Sequence, residues 1–121
     1  MINASKQLSD TFEALANKHR RAIVHRLSLQ PASISQLANE QKLSLPAIHK
    51  HIKILEQAKL LKRKKSGRVN FLALDRSGLL LMQDWIQQYH AYWGTNEETL
   101  ENYIASIERS RDTLTKLKRN R

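Results

Sequence analysis

The apolar residues of this 121-residue chain change their spacing twice. Up to residue 58 they recur every three or four positions, between Leu61 and Leu74 they alternate, and from Leu79 onward the wider spacing returns. A period near 3.6 gives a helix one apolar stripe, and a period of 2 gives a strand one apolar face. The chain is thereby restricted to a helical body carrying one small β-element. Three Gly and two Pro are too few for a loop-rich or all-β chain. The absence of cysteine excludes disulfides, thiolate metal sites and cysteine nucleophiles together.

Leu8, Phe12, Leu15 and Ala16 predict a first helix over 5–16. Asn17 suits the N-cap of a second helix over 18–28, with Ala22, Ile23 and Leu27 inward and Arg20, Arg21 and His25 outward. Gln30-Pro31-Ala32 is a break. Ser33 and Gln36 have the spacing of a capping box, opening a short helix to about Gln41 that buries Ile34, Leu37 and Ala38. Beyond Lys42-Leu43-Ser44, Ser44 caps a fourth helix running to about Ala58 with Ile48, Ile52 and Leu55 as its buried stripe. Pro46 falls in its first turn, where a missing N–H costs nothing. The alternating stretch predicts a two-stranded hairpin turning at Ser66-Gly67. Asp75 caps a helix bearing Leu79, Leu80, Leu81, Met82, Trp85, Ile86, Tyr89 and Trp93, which stops at Gly94. Thr95 to Glu98 forms a second capping box, opening a last helix with Leu100, Tyr103, Ile104, Ile107, Leu114 and Leu117. That apolar run is interrupted at Ser110 and Arg111, which predicts a packing helix rather than a long coiled coil. One domain over 1–121 accommodates all of this.

Charge is unevenly distributed. The net charge is +10, and residues 59–76 alone carry 7 basic and 1 acidic side chains. Residues 77–108 contain no Lys or Arg and 5 acidic groups. A concentrated positive face takes a polyanion as partner, nucleic acid before an anionic membrane. No apolar run is long enough to span a bilayer, and residues 1–10 lack the apolar core of a signal peptide, so a cytoplasmic protein with no membrane partner is expected. No Gly-rich phosphate loop, HExxH or Ser/His/Asp arrangement is present, so neither an enzyme nor a cofactor is expected.

Two short helices joined by a tight turn, 33–41 and 44–58, read as a helix-turn-helix, whose second helix enters the major groove of double-stranded DNA. With 48, 52 and 55 inward, Ser44, Leu45, Pro46, Ala47, His49, Lys50 and Lys53 become the candidate DNA-contacting positions. The basic hairpin that follows is a wing, with Arg63, Lys65 and Arg68 as its candidate DNA contacts. Among Arg63, Lys64 and Lys65 one strand-face member is expected to point elsewhere. Arg20, Arg21 and Arg26 stand open between phosphate contact and solvated face.

The order helix, helix, helix-turn-helix, wing, long helix resembles the ArsR-type winged-helix repressors over roughly residues 8 to 108. Leu15 to Val24 is similar to the family's opening, except that Lys18 stands where a proline often follows the cap. Ser44 to Leu55 is similar to its recognition helix, which implies that His51 is a packed, hydrogen-bonded residue, and Gly67-Arg68 with Phe71 and Leu74 is similar to its wing return. Asp84 to Trp93 resembles a subgroup with an aromatic helix after the wing. The resemblance implies a mainly α, winged helix-turn-helix fold with additional C-terminal helices. It also implies a homodimer that binds operator DNA and is released by a signal, a small molecule or protein effector of unknown identity. Dimerisation in that family uses the first and last helices, which here are 5–16 and 76–118. On them Leu8, Phe12, Trp85, Tyr89, Tyr92, Trp93, Tyr103 and Ile107 are the candidate interface residues, an aromatic stripe being more often interface than ligand pocket.

Metal sensing in the family departs from this sequence. Its cysteine positions correspond to about Ser33 and Ser35. Asp84 and His90, the remaining candidates, are six residues apart, a rotation of about 600° that leaves them ~120° off one face. No metal site is expected. The leading expectation is a homodimeric repressor on an inverted-repeat operator. Its rivals are a regulator gated by an unknown small molecule bound among the C-terminal aromatics, an RNA-binding or architectural protein without sequence preference, and a protein-interaction module that kept the fold.

Overall fold

The computed structural model describes residues 4–89 and 94–119. It divides into two compact units, one ending at Trp85 and the other beginning at Ile86. The first unit holds helices α1 (Ala4–Leu15), α2 (Lys18–Leu29), α3 (Ile34–Gln41) and α4 (Leu45–Gln57), strands β1 (Ala32–Ser33), β2 (Leu61–Ser66) and β3 (Val69–Leu74), and most of α5 (Ser77–Gln87). The second holds α6 (Thr99–Arg119).

The expected caps form. Asn17 Oδ1 accepts from the backbone N–H of His19 and Arg20, at 2.9 and 3.1 Å. Ser33 and Gln36 close a reciprocal capping box, with distances of 3.1 and 2.9 Å. Ser44 Oγ accepts from Ala47 N. Lys42 (φ 55) and Lys59 (φ 59) end α3 and α4 in the left-handed conformation usually taken by glycine. At Lys42 this conformation turns the chain from α3 into α4, with Leu43 N donating to Ala38 O.

The core is built from the stripes read off the sequence. Ile23 and Leu27 of α2, Ile34, Leu37 and Ala38 of α3, and Ile48, Ile52 and Leu55 of α4 are all buried. Leu60, Leu61 and Leu72 extend this core to the sheet. At the floor of α4, the buried Thr11 hydroxyl donates to Ala58 O at 3.2 Å and Gln7 O at 2.9 Å. Gly78 at the start of α5 lies against the same spot. A Cβ there would meet Ala58 O at 2.7 Å and Lys59 O at 3.0 Å.

The sheet has three strands in the order β1-β3-β2, not the two of a bare hairpin. Ala32 and Ser33 pair antiparallel with Leu72 and Phe71. The reason is local: Pro31 holds the chain extended after α2, and the free edge of β3 accepts the two residues that precede α3. Ser33 therefore serves both as strand residue and as cap.

Two further expectations need revision. Arg20 and Arg21 have a task that the choice between phosphate contact and solvated face did not include: they reach back to the carbonyls that end α1. Arg20 Nε donates to Ala14 O at 2.6 Å and its Nη2 to Glu13 O at 3.3 Å, while Arg21 Nη1 donates to Leu15 O at 2.8 Å. Arg26 is likewise engaged, with Glu40 and with Gln30 O, each at 2.9 Å. The helix after the wing stops at Gln87, short of Gly94, and Tyr89 N donates to Ile86 O, a tight i→i−3 bond that closes its end. Tyr92 and Trp93 lie outside the described residues.

Asp75 Oδ1 accepts from Ser77 N at 3.0 Å at the start of α5. Burial alone would raise its pKa, but the hydrogen bonds from Ser77 and the nearby Lys62 and Lys59 outweigh it and hold the carboxyl below its ordinary value. In the second unit, Glu98 N donates to Thr95 Oγ1 at 3.3 Å and Thr95 N to Glu98 Oε2 at 3.5 Å. The helix that this box opens runs unbroken through Ser110 and Arg111.

Candidate nucleic-acid interface

Helix α4 is two-sided. Ile48, Ile52 and Leu55 are sealed in the core, and Ser44, Leu45, Pro46, His49, Lys50 and Lys53 are exposed. Ala47 is half-buried beside them. The exposed set begins at the helix N-terminus, where the free N–H groups and the dipole already favour an anion.

The wing follows at once. Residues 62–69 are exposed throughout, and Gly67 makes the turn at φ 62 in open space. Strand register sorts its cations. Arg63 pairs with Leu72 and Lys65 with Asn70, so Arg63 and Lys65 share the face from which Leu72 enters the core. Lys62 and Lys64, opposite Ala73 and Phe71, share the other.

Arg63 is the strand-face member with another task. It forms a bidentate pair with Glu56 of α4, Nη2 to Oε1 at 2.6 Å and Nε to Oε2 at 3.3 Å. That pair braces the wing against the helix and occupies the guanidinium. Lys65 and Arg68 remain exposed as expected. Lys62, Lys64 and the 41% exposed Phe71 line an open groove on the outer sheet face with Pro31 and Ala73. No motif in the sequence marked that groove, because Pro31 reaches it only through the pairing of the adjoining Ala32 and Ser33 with β3.

His51 is packed and hydrogen-bonded, as expected. Its Nδ1 lies 3.4 Å from Arg20 Nη1, and its ring is 5.7 Å from that of His19. Desolvation first, then Arg20, His19 and Lys50, hold its pKa below the ordinary histidine value. Arg20 thus links the end of α1 to the middle of α4, a contact between residues 31 apart that no local pattern announces.

Of the candidate interface residues, Leu8 is half-buried and Phe12 exposed on α1. Phe12 meets Trp85 edge-to-face, with ring centroids 5.3 Å apart. Tyr89, Tyr103 and Ile107 belong to the second unit, where both tyrosines are exposed and Ile107 is half-buried. Among the described residues no group of three or more His, Asp or Glu side chains could hold a metal ion, and no helix is long and apolar enough to cross a membrane.

Residues 15–64 match the family model described as a helix-turn-helix domain. The HTH-type transcriptional regulator Rv2034 of Mycobacterium tuberculosis is 33% identical over 78 residues, 64% of this chain and 73% of that protein. A crystal structure of an ArsR family transcriptional regulator is 35% identical and superposes with a TM-score of 0.66, covering 73% of this chain and 91% of that one. The chain belongs to the ArsR family. Like other ArsR proteins it is a transcriptional regulator built on a helix-turn-helix DNA-binding fold, and the family is one of regulators rather than enzymes. The same fold recurs in the solution structure of a homodimeric winged helix-turn-helix DNA-binding domain from Mycobacterium bovis, 16% identical with a TM-score of 0.58 over 72% of this chain and 89% of that one. Within this ArsR fold, α3 and α4 are the helix-turn-helix and β2–β3 the wing.

Proposed function

We propose that this ArsR protein is a homodimeric repressor that binds an inverted-repeat operator and silences transcription by occluding promoter DNA. The observation that carries the reading is the exposed, polar and cationic side of α4, set beside a wing whose Lys65 and Arg68 are exposed. His49 is the base-reading residue, and Lys50, Lys53, Lys65 and Arg68 hold phosphates. Ser44 through Ala47 form the leading tip of the helix in the groove. Arg63 acts indirectly, by fixing the wing to Glu56.

Dimerisation is supported by the exposed Phe12–Trp85 pair and by the homodimeric assembly named for the Mycobacterium bovis relative. A two-fold dimer places its recognition helices ~34 Å apart, so half-sites fall about 10 bp apart or at a multiple of that distance. With about eight phosphates neutralised, the log–log salt slope of binding is near −7.

Selection of bound duplexes from a random pool, followed by competition against random DNA and RNA, tests the proposal. The expected product is an imperfect inverted repeat bound at least ~1,000-fold more tightly than random duplex. An enriched pool with no consensus, and equal affinity for RNA, would establish the architectural alternative instead.

A further inference from the structure

The outer face of the sheet carries cations that the helix-turn-helix does not use. Strand alternation sends Arg63 and Lys65 to the side of Leu72 and the core, where Glu56 ties Arg63 to α4. Lys62 and Lys64 go to the opposite side, with Ala73 and Phe71 directly across from them. Pro31, just before the residues of β1 that pair with β3, borders the same face. These five residues line an open groove of about 470 Å³, all of them within the first unit. That volume falls in the range of roughly 300–1,000 Å³ usual for small-molecule sites.

We infer that this groove is a binding site for a planar aromatic carboxylate. Three observations select that chemistry. The first is charge. Lys62 and Lys64 stand two residues apart on one face of β2, about 7 Å, so two ammonium groups can meet one anionic head. Among the described residues neither forms an ion pair. Asp75 lies near Lys62, which leaves Lys64 as the main anchor.

The second observation is the lining. The exposed Phe71 ring and the Pro31 ring offer apolar surface that an aromatic body would take out of water. A phosphodiester backbone would engage the lysines and leave both rings wet. The third is the absence of polar readers. Among the described residues lining the groove no side chain is an amide, a hydroxyl or a carboxylate, so none can hydrogen-bond the edges of a sugar or a nucleobase as an acceptor. The inference goes beyond the repressor reading and stands without it, since none of the five residues is a proposed DNA contact.

Cinnamate titrated into the isotope-labelled full-length protein, followed by backbone amide shifts, tests the site. Saturable shifts concentrated at residues 62–64 and 71–73 are expected, with half-saturation at about 0.1–1 mM for a ligand of this size. Cinnamyl alcohol keeps the ring and loses the charge, and is expected to bind about tenfold more weakly. Acetate keeps the head and loses the ring, and is expected not to saturate in the same range. K64Q and F71A alter exposed side chains and leave the core intact. Each is expected to weaken cinnamate at least about fivefold, with helix content unchanged by circular dichroism. Shifts spread evenly over α4, Lys65 and Arg68 would mean that the anion merely screens charge, and would overturn the site. Equal affinity for acid and alcohol, or full affinity in K64Q, would overturn the anionic anchor. Saturation by acetate at the same concentration, or full affinity in F71A, would overturn the aromatic one.

Discussion

Helices α4 and α6 are both amphipathic, and they meet opposite fates. The stripe of α4, Ile48, Ile52 and Leu55, is wholly covered by its own subunit, and its bare side is polar and cationic. The stripe of α6 is itself the bare side. Periodicity specifies that a helix has two sides; the surrounding elements decide which side is left over. What is left over then selects the partner, a polyanion in one case and an apolar surface in the other.

The widest gap between the two helices is in stability. Ile52→Ala empties a fully buried site and is expected to cost about 2–5 kcal/mol in urea unfolding. Leu114→Ala, measured at dilutions where the chain is monomeric, is expected to change stability by less than ~0.5 kcal/mol. A loss at Leu114 equal to that at Ile52 would mean that the α6 stripe is covered within one subunit.

Next in size is the polar anchoring of α4. Arg20→Met removes the donor to Ala14 O and Glu13 O and the contact with His51, and a loss of about 1–3 kcal/mol is expected in the same assay. A neutral result would show that water serves those carbonyls equally well.

The bare side of α4 is probed through the wing beside it. Arg68→Ala is expected to weaken cognate and random duplex alike and to reduce the salt slope by about one contact. Arg63→Ala should leave that slope nearly unchanged, since its guanidinium is held by Glu56. His49→Ala should shift base preference more than total affinity. Equal slopes for the Arg63 and Arg68 variants would remove the distinction drawn between them.

The smallest effect is protonic, and it belongs to α4, since residues 94–119 contain no histidine. His51, faced by Arg20 and His19 of α2 and by Lys50 of its own helix, has a lowered pKa. Between that lowered value and the ordinary value near 6.5 the unfolded chain binds more protons, so stability is full above this window and falls as pH drops through it. The urea midpoint should decline on that acid side, and His51→Gln should flatten the decline. An identical pH profile in the variant would assign the response to another group.

Local chemistry made the helices legible. Asn17, Ser33 and Ser44 are caps whose side chains bond within three residues, so their roles depend on nothing distant. The stripe at 48, 52 and 55 and the turn at Gly67 are legible for the same reason. Contacts made across the chain were not. The pairing of Ala32 with Leu72, the bond of Thr11 to Ala58 and the Glu56–Arg63 brace each join residues chosen by the folded geometry. The basic side chains show it most clearly. Arg20 and Arg63 look in sequence like Lys65 and Arg68, yet carbonyls and a carboxylate claim the first two and leave the others exposed.

Gly78 imposes a rule of motion on the regulator. Its Cα rests on two carbonyl oxygens just past the end of α4, and its N–H donates to Lys59 O at 2.9 Å. Sliding α5 by one residue in either direction would drive a Cβ, that of Ser77 or Leu79, into those oxygens. The helix after the wing is therefore held against shifting lengthwise at this point.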